Sequence, residues 1–316
     1  MGKVALVGAA GAIGRSIAAA LSAEGRPYRV IGRSHAALIQ AYGRDPLAEI
    51  AVWDPADPES AARALDGAEA AVHLVGVPYH QFELHPVVMD QVLKGAVAAG
   101  VERLVQIGTV YPFGRPRTPR VAEDHPREPH TFRGRMRKAQ EDLTLAAHAE
   151  GRIQTTVLRL PDFYGPDGEK SFLHGLFAAA LAGKRALMIG PIDRPHEFVF
   201  TPDAGPIVTR LIDTPAAFGR TWNLAGAGVT TQRDFARRIF ATVGRSPKLL
   251  PIGRRGLSLF GLFDPLMKGL AEMNYLMTEP VLLDDSALSS LIGPLAKTSY
   301  DEGIDRTLAA LSRRAA

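Results

Sequence analysis

The sequence predicts an α/β protein: a doubly wound parallel sheet with a smaller C-terminal lobe. Three observations lead there. Short apolar runs alternate with longer amphipathic ones over the first two hundred residues, the signature of right-handed βαβ units. A glycine-rich turn, Gly8 to Gly14, separates the first apolar run from the first helical pattern. After Leu160 the alternation gives way to turn formers and scattered prolines. At 316 residues the chain can bury a sizeable core, as one large domain or two closely joined ones.

Taken in order, Lys3 to Val7 is an apolar run, and Ile13, Ile17, Ala20 and Leu21 then recur at helical spacing. Five further strands are expected at Tyr28–Ile31, Glu49–Trp53, Ala70–Val75, Arg103–Ile107 and Thr155–Leu160. Pro58–Leu65, Pro86–Ala99 and Met136–Ala149 read as helices between them. Buried parallel strands should be continuous apolar runs, and Val4-Ala5-Leu6-Val7 is one. Residues 1–160 and 198–225 are assigned to the sheet domain, because Ala204–Leu211 and Thr221–Leu224 return to it. Residues 161–197 and 226–316 are assigned to the smaller lobe, packed over the C-terminal strand edges where such sheets bind ligands.

Composition narrows the chemistry. There is no cysteine, hence no disulfide and no thiolate, which fits a reducing, cytoplasmic setting. The first residues read as a buried strand rather than a secretory leader. Leu257–Leu270, the nearest approach to a membrane span, is broken by Asp264, Pro265 and Lys268. The net charge of +4 is spread along the chain apart from Arg133, Arg135, Arg137 and Lys138. That pattern suits a solvated surface and an anionic small molecule better than nucleic acid. No histidine cluster has metal-ligand spacing. The expected partner is a small-molecule substrate, and a homodimer is left open.

Gly8-Ala9-Ala10-Gly11-Ala12-Ile13-Gly14 follows a strand and opens a helix. Missing Cβ atoms let backbone N–H groups approach a pyrophosphate, and the helix N-terminus adds unpaired donors and a favourable dipole. This is a Rossmann-type dinucleotide site. NAD sites usually place an acid at the end of the second strand. Here that end is Ile31-Gly32-Arg33-Ser34. Arg33 can pair with a 2′-phosphate and Ser34 can donate to it, so NADP(H) is expected ahead of NAD(H).

With Gly8, Gly11 and Gly14 in that spacing, the chain resembles the extended short-chain dehydrogenase/reductase family, the NAD-dependent epimerase/dehydratase group. The resemblance implies an adenine contact at Asp54 and a ribose-side segment through Leu74 and Gly76. It also implies nicotinamide-side contacts at Pro161 and Phe163, in Arg159-Leu160-Pro161-Asp162-Phe163-Tyr164-Gly165-Pro166. The family's catalytic Ser/Thr falls on Thr109, after Leu104-Val105-Gln106-Ile107-Gly108. Its catalytic tyrosine stands four residues before a ribose-binding lysine, on one helix face. The lysine in the expected place is Lys138, and four residues earlier stands Gly134.

A glycine donates no proton, so the chain resembles an atypical member. Tyr79, His80, Tyr111 and Tyr164 follow strands at the active-site edge and each is a candidate for the missing acid, with Tyr111 set beside Thr109 and Lys138; Tyr79, His80, Tyr164, His196 and Tyr275 are candidate substrate contacts. Each also reads as a packed or solvated loop residue. The apolar stretch Leu257–Phe263, with Met267, Met273, Tyr275, Leu276 and Met277, reads as lobe core or as a lid over a hydrophobic substrate. Three functions compete: an NADP(H)-dependent oxidoreductase acting on a small apolar or aromatic carbonyl or enone, a sugar-nucleotide epimerase or dehydratase, and a non-catalytic NADP-sensing or partner-binding protein.

Overall fold

The computed structural model describes residues 2–169 and 171–315. The first half runs β1 (Val4–Val7), α1 (Ala12–Ala23), β2 (Tyr28–Gly32), α2 (His35–Tyr42), β3 (Ala48–Val52), α3 (Ser60–Leu65), β4 (Ala70–His73), α4 (Leu84–Ala98), β5 (Arg103–Thr109) and α5 (Phe132–Ala149). It continues through β6 (Gln154–Leu160), β7 (Asp162–Tyr164), α6 (His174–Ala182), β8 (Ala186–Ile189), β9 (Pro195–His196), β10 (Phe198–Phe200), α7 (Thr201–Ile212) and β11 (Thr221–Asn223). The remainder is β12 (Thr230–Thr231), α8 (Gln232–Thr242), β13 (Leu249–Ile252), α9 (Arg254–Phe260), α10 (Pro265–Met273), α11 (Tyr275–Thr278), α12 (Ser286–Ile292) and α13 (Tyr300–Ala315).

Seven strands form one parallel sheet in the order β11-β6-β5-β4-β1-β2-β3. The order reverses between β1 and β4, the crevice where doubly wound sheets bind ligands. Strand alternation divides the core. In β1, Val4 and Leu6 join the layer under α1 and α7, while Ala5 and Val7 join the layer under α3 and α4. A strand buried on both faces has no polar side, which is why VALV is apolar throughout.

The α3–α5 layer turns polar toward the C-terminal ends of β4 and β5. His73 and Gln106 are buried there, against Gln140 and Thr144 of α5. Arg159 of β6 is also buried, held by Glu141 of α5 at 2.9 Å and lying 4.6 Å over the Phe113 ring. A buried ion pair persists only with this quality of partner geometry.

The second lobe has its own core, in which Tyr164, Phe177, Phe198, Phe235 and Tyr300 pack on one another. Residues 201–212 are helix α7, packed on α1, and 221–223 are the edge strand β11. Helix α12 sends Leu288 and Ile292 back into the core under α1 and α7, so the chain rejoins the sheet domain once more after residue 226.

Candidate active site

Each glycine of the turn answers a different constraint. Gly8 has φ +87°, and a Cβ there would lie 2.8 Å from the Val75 backbone. Gly14 would drive a Cβ into the Ala9 carbonyl, so it sets the approach of α1 to the turn. Gly11 is the exception: a Cβ would meet nothing within 4 Å. It is also the N-cap of α1 and has no side-chain cap, so the first-turn N–H groups of Ala12 and Ile13 face an open cradle. Emptiness beside uncapped donors at the sheet's switch point fits a pyrophosphate.

The other positions expected to meet a cofactor follow β2, β3, β4 and β6. Arg33 is exposed at the end of β2 and makes no ion pair among the described residues. Ser34 caps α2, its Oγ accepting from the Ala37 N–H at 3.3 Å, with its hydroxyl hydrogen still free to donate. Asp54 is exposed and accepts the Ala56 N–H at 2.9 Å. Leu74 donates its N–H to the Val7 carbonyl at 2.8 Å, and a Cβ on Gly76 would meet open space. Pro161 is buried and Phe163 half-buried, on the layer under α1 and α7.

Over the C-terminal edge, Thr109 ends β5 and accepts the Tyr111 N–H at 3.3 Å. The Tyr111 phenol packs with Tyr79 and Tyr275, and burial pushes it well above its ordinary pKa of 10. Tyr79 is likewise pushed up to about 12 by burial. Asp162 carries negative charge toward both phenols and accepts from His196 Nε2 at 2.8 Å. His196 is 7% exposed on β9, so it is a paired, buried group rather than a free loop histidine.

One expected position lies elsewhere. Tyr164 is 1% exposed at the centre of the second lobe's aromatic core, because β7 pairs with β10 and carries its ring inward, away from this edge. His80 is exposed in the turn after β4. Tyr275 does join the site: it packs with Met273 and Met277 against Tyr79 and Tyr111, and its ring lies 4.5 Å from His130. The apolar 257–277 stretch therefore divides. Leu257, Met273, Leu276 and Met277 are buried, whereas Leu259, Phe260, Leu262 and Phe263 are exposed.

The family model described as the NAD dependent epimerase/dehydratase family matches residues 4–225, well over half of the chain. The chain belongs to that family. A dTDP-6-deoxy-L-talose 4-dehydrogenase (NAD(P)(+)) of Kitasatospora kifunensis is 31% identical over 209 residues, which is 62% of this chain and 65% of the relative, just under two-thirds of its length. Among solved structures, a UDP-glucuronic acid 4-epimerase from Bacillus cereus in complex with NAD superposes with a TM-score of 0.82, at 18% identity over 99% of both chains. A dTDP-glucose 4,6-dehydratase from Streptomyces venezuelae with NAD bound gives 0.82 at 19% identity, over 98% of this chain and 97% of that one. At such identities these structures establish the shared fold.

Helix α5 carries a charged inner column. Its residues toward β4, β5 and β6 are Arg133, Arg137 and Glu141, spaced by four. Arg133 lies 4.5 Å over the Tyr79 ring, donates to the Tyr79 carbonyl at 2.6 Å and pairs with Glu272 of α10. Arg137 is buried, contacts His85 Nδ1 at 3.1 Å and donates to the Ile107 carbonyl at 3.3 Å. Burial lowers the Arg137 pKa to about 10, leaving it charged at neutral pH.

Lys138 sits one position round the helix, 2.6 Å from Asp142 Oδ2 and about a third exposed. Gly134 is a packing glycine. A Cβ there would fall 2.6 Å from Pro129 and 3.0 Å from the Tyr111 carbonyl, so no tyrosine fits without displacing backbone. The sequence points to Lys138 as the inward cation and leaves Arg133, Arg135 and Arg137 as a solvated helix start or an anion site, because spacing alone does not say which of two adjacent columns faces inward. Asp162, His85 and Glu272 were missed as well. The first lay inside a recognised motif, and the other two reach the site only through the tertiary fold.

Proposed function

We propose that this protein is a nicotinamide-dinucleotide-dependent reductase, preferring NADP(H), that acts on a small apolar or aromatic carbonyl or enone. The observation that carries this reading is the placement of Tyr111, a half-buried phenol two residues past Thr109, packed beside Tyr79 and Tyr275 at the C-terminal end of β5. Such a phenol is protonated at neutral pH and suited to donate to a developing alkoxide.

In this reading the Gly11 cradle and the first turn of α1 hold the pyrophosphate, and Arg33 holds the 2′-phosphate. The bound nicotinamide supplies hydride. Thr109 hydrogen-bonds the substrate oxygen, and Tyr111 donates its proton, with Tyr79 packed beside it. We assign the buried cation at this centre to Arg137, whose charge acts on Tyr111, rather than to Lys138. The aromatic and methionine wall of Tyr79, Phe82, Tyr275, Met273 and Met277 excludes water and selects an apolar substrate.

A second reading, conversion of a deoxysugar nucleotide, is favoured by the 31% identical dehydrogenase, whose name carries both NAD and NADP. One assay separates the two. NADPH oxidation is followed with aldehydes, ketones and enones, and with dTDP- and UDP-linked keto sugars. The expected result is turnover of a small carbonyl that falls about 100-fold in Tyr111→Phe, the low end for losing a general acid. Turnover of sugar nucleotides alone supports the second reading. No turnover of any compound, with intact cofactor binding, overturns both in favour of a sensor.

A further inference from the structure

Helices α9 and α10 form a hairpin whose tip points its apolar side chains at solvent. Leu259, Phe260, Leu262 and Phe263 are 62, 53, 74 and 88% exposed, and Leu266 follows at 44%. Strands β8 and β13 pair beside it, with Leu187 opposite Leu250, and both of these are exposed too. Seven of the thirteen large apolar side chains exposed among the described residues therefore lie in these two short segments. Scattered exposed leucines need no explanation, whereas a contiguous patch marks a contact surface.

The charge around the patch indicates what it meets. Residues 184–187 and 248–268 carry Lys184, Arg185, Lys248, Arg254, Arg255 and Lys268, all exposed, against one acid, Asp264. None of the six cations forms an ion pair among the described residues. This net +5 exceeds the +4 of the whole chain, so the rest of the molecule is on balance slightly acidic. Apolar side chains flanked by unpaired cations match an anionic bilayer, where acyl chains accept the first and headgroup phosphates the second. A second copy of the same patch would instead bring like charges together.

We propose that the α9–α10 tip docks this protein peripherally on anionic membrane surfaces. No helix among the described residues is long and apolar enough to cross a membrane, so the contact is interfacial. The inner face of α10 touches the candidate active site: a Cβ on Gly269 would meet Arg133 and Tyr79, and Glu272 pairs with Arg133. Docking would thus set the site beside the lipid, where an apolar substrate partitions. The docking inference stands whether or not the reductase reading does.

Vesicle flotation tests it, with phosphatidylcholine alone and with phosphatidylglycerol added, for the intact chain at low and near-physiological salt. The intact chain should float with the anionic vesicles. Its apparent affinity should fall about tenfold or more when the anionic lipid is omitted, in Leu262→Asp/Phe263→Asp, or in Arg254→Glu/Arg255→Glu. Unchanged circular dichroism and melting of both variants exclude misfolding. Failure of the intact chain to float, or equal flotation of both folded variants, overturns the proposal. So does loss of a wild-type dimer in Leu262→Asp/Phe263→Asp without vesicle binding, which would make the patch a self-association face.

Discussion

Arg33 directly follows β2, exposed and without an ion-pair partner among the described residues. A guanidinium there has no internal carboxylate to neutralise it, and in the proposed reading it meets a 2′-phosphate. Replacing it by alanine should remove most of a preference for NADP(H) over NAD(H), with NAD(H) affinity little changed. A charge-assisted bond contributes roughly 1.5–3 kcal/mol, so the preference to be lost is about tenfold or more. Calorimetry with both cofactors on wild type and Arg33→Ala checks this. Equal affinities in the wild type would mean that Arg33 is a solvated surface residue. Residue identity also governs Gly134, which reads in sequence as a missing tyrosine. Its close approach to Pro129 and to the Tyr111 carbonyl explains it instead.

At the scale of elements, the strand–turn–helix unit makes two glycines of one motif behave oppositely. Gly11→Val adds side chain to open space, so the fold should persist while dinucleotide affinity is lost, because the branched chain occupies the cradle. Gly14→Val instead forces α1 away from the Ala9 carbonyl. It should lower stability by several kcal/mol, about what overpacking a core contact costs. Thermal melts and cofactor titrations on the two variants distinguish them; identical losses of stability would show that Gly11 is structural after all. Helix α5 shows the opposite limit of legibility. Its existence is evident from its periodicity, but the inward column is set by a rotation of about 100° per residue. Two neighbouring basic residues, Arg137 and Lys138, therefore have different fates: one is buried against His85 and the other is tied to Asp142.

For the molecule as a whole, the polar seam between α5 and the β4–β5 edge couples stability to pH. Burial lowers His73 to a pKa of about 3 and His85 to about 2, with the Arg137 charge adding to both shifts. Both are neutral when folded and near 6.5 when unfolded, so the unfolded chain binds more protons below that value. Their contribution is complete above pH 6.5 and is lost as pH falls toward about 3. Each histidine can steepen the loss by at most about 1.4 kcal/mol per pH unit. Denaturation midpoints measured from pH 7.5 to 4.5 should fall, and less so in His73→Gln, where a neutral amide can keep the bond to Gln140. A flat profile would show that the imidazoles are hydrated.

What the sequence determined by itself was local and repetitive: the parallel strands, the first glycine turn, the absence of an acid after β2, and the alternation that makes the sheet doubly wound. These are written in consecutive residues, because a strand buried on both faces must be apolar throughout and a phosphate cradle must lack Cβ atoms. Tertiary structure alone decided the contents of the site. Glu272, Met273 and Tyr275 reach Arg133 and Tyr111 across more than a hundred residues of chain, and Tyr164 turns into the second lobe's core although its motif ends at the sheet edge. Such placements depend on how α10 and β7 pack after the chain has folded, and no short-range pattern encodes a contact whose two halves are so far apart.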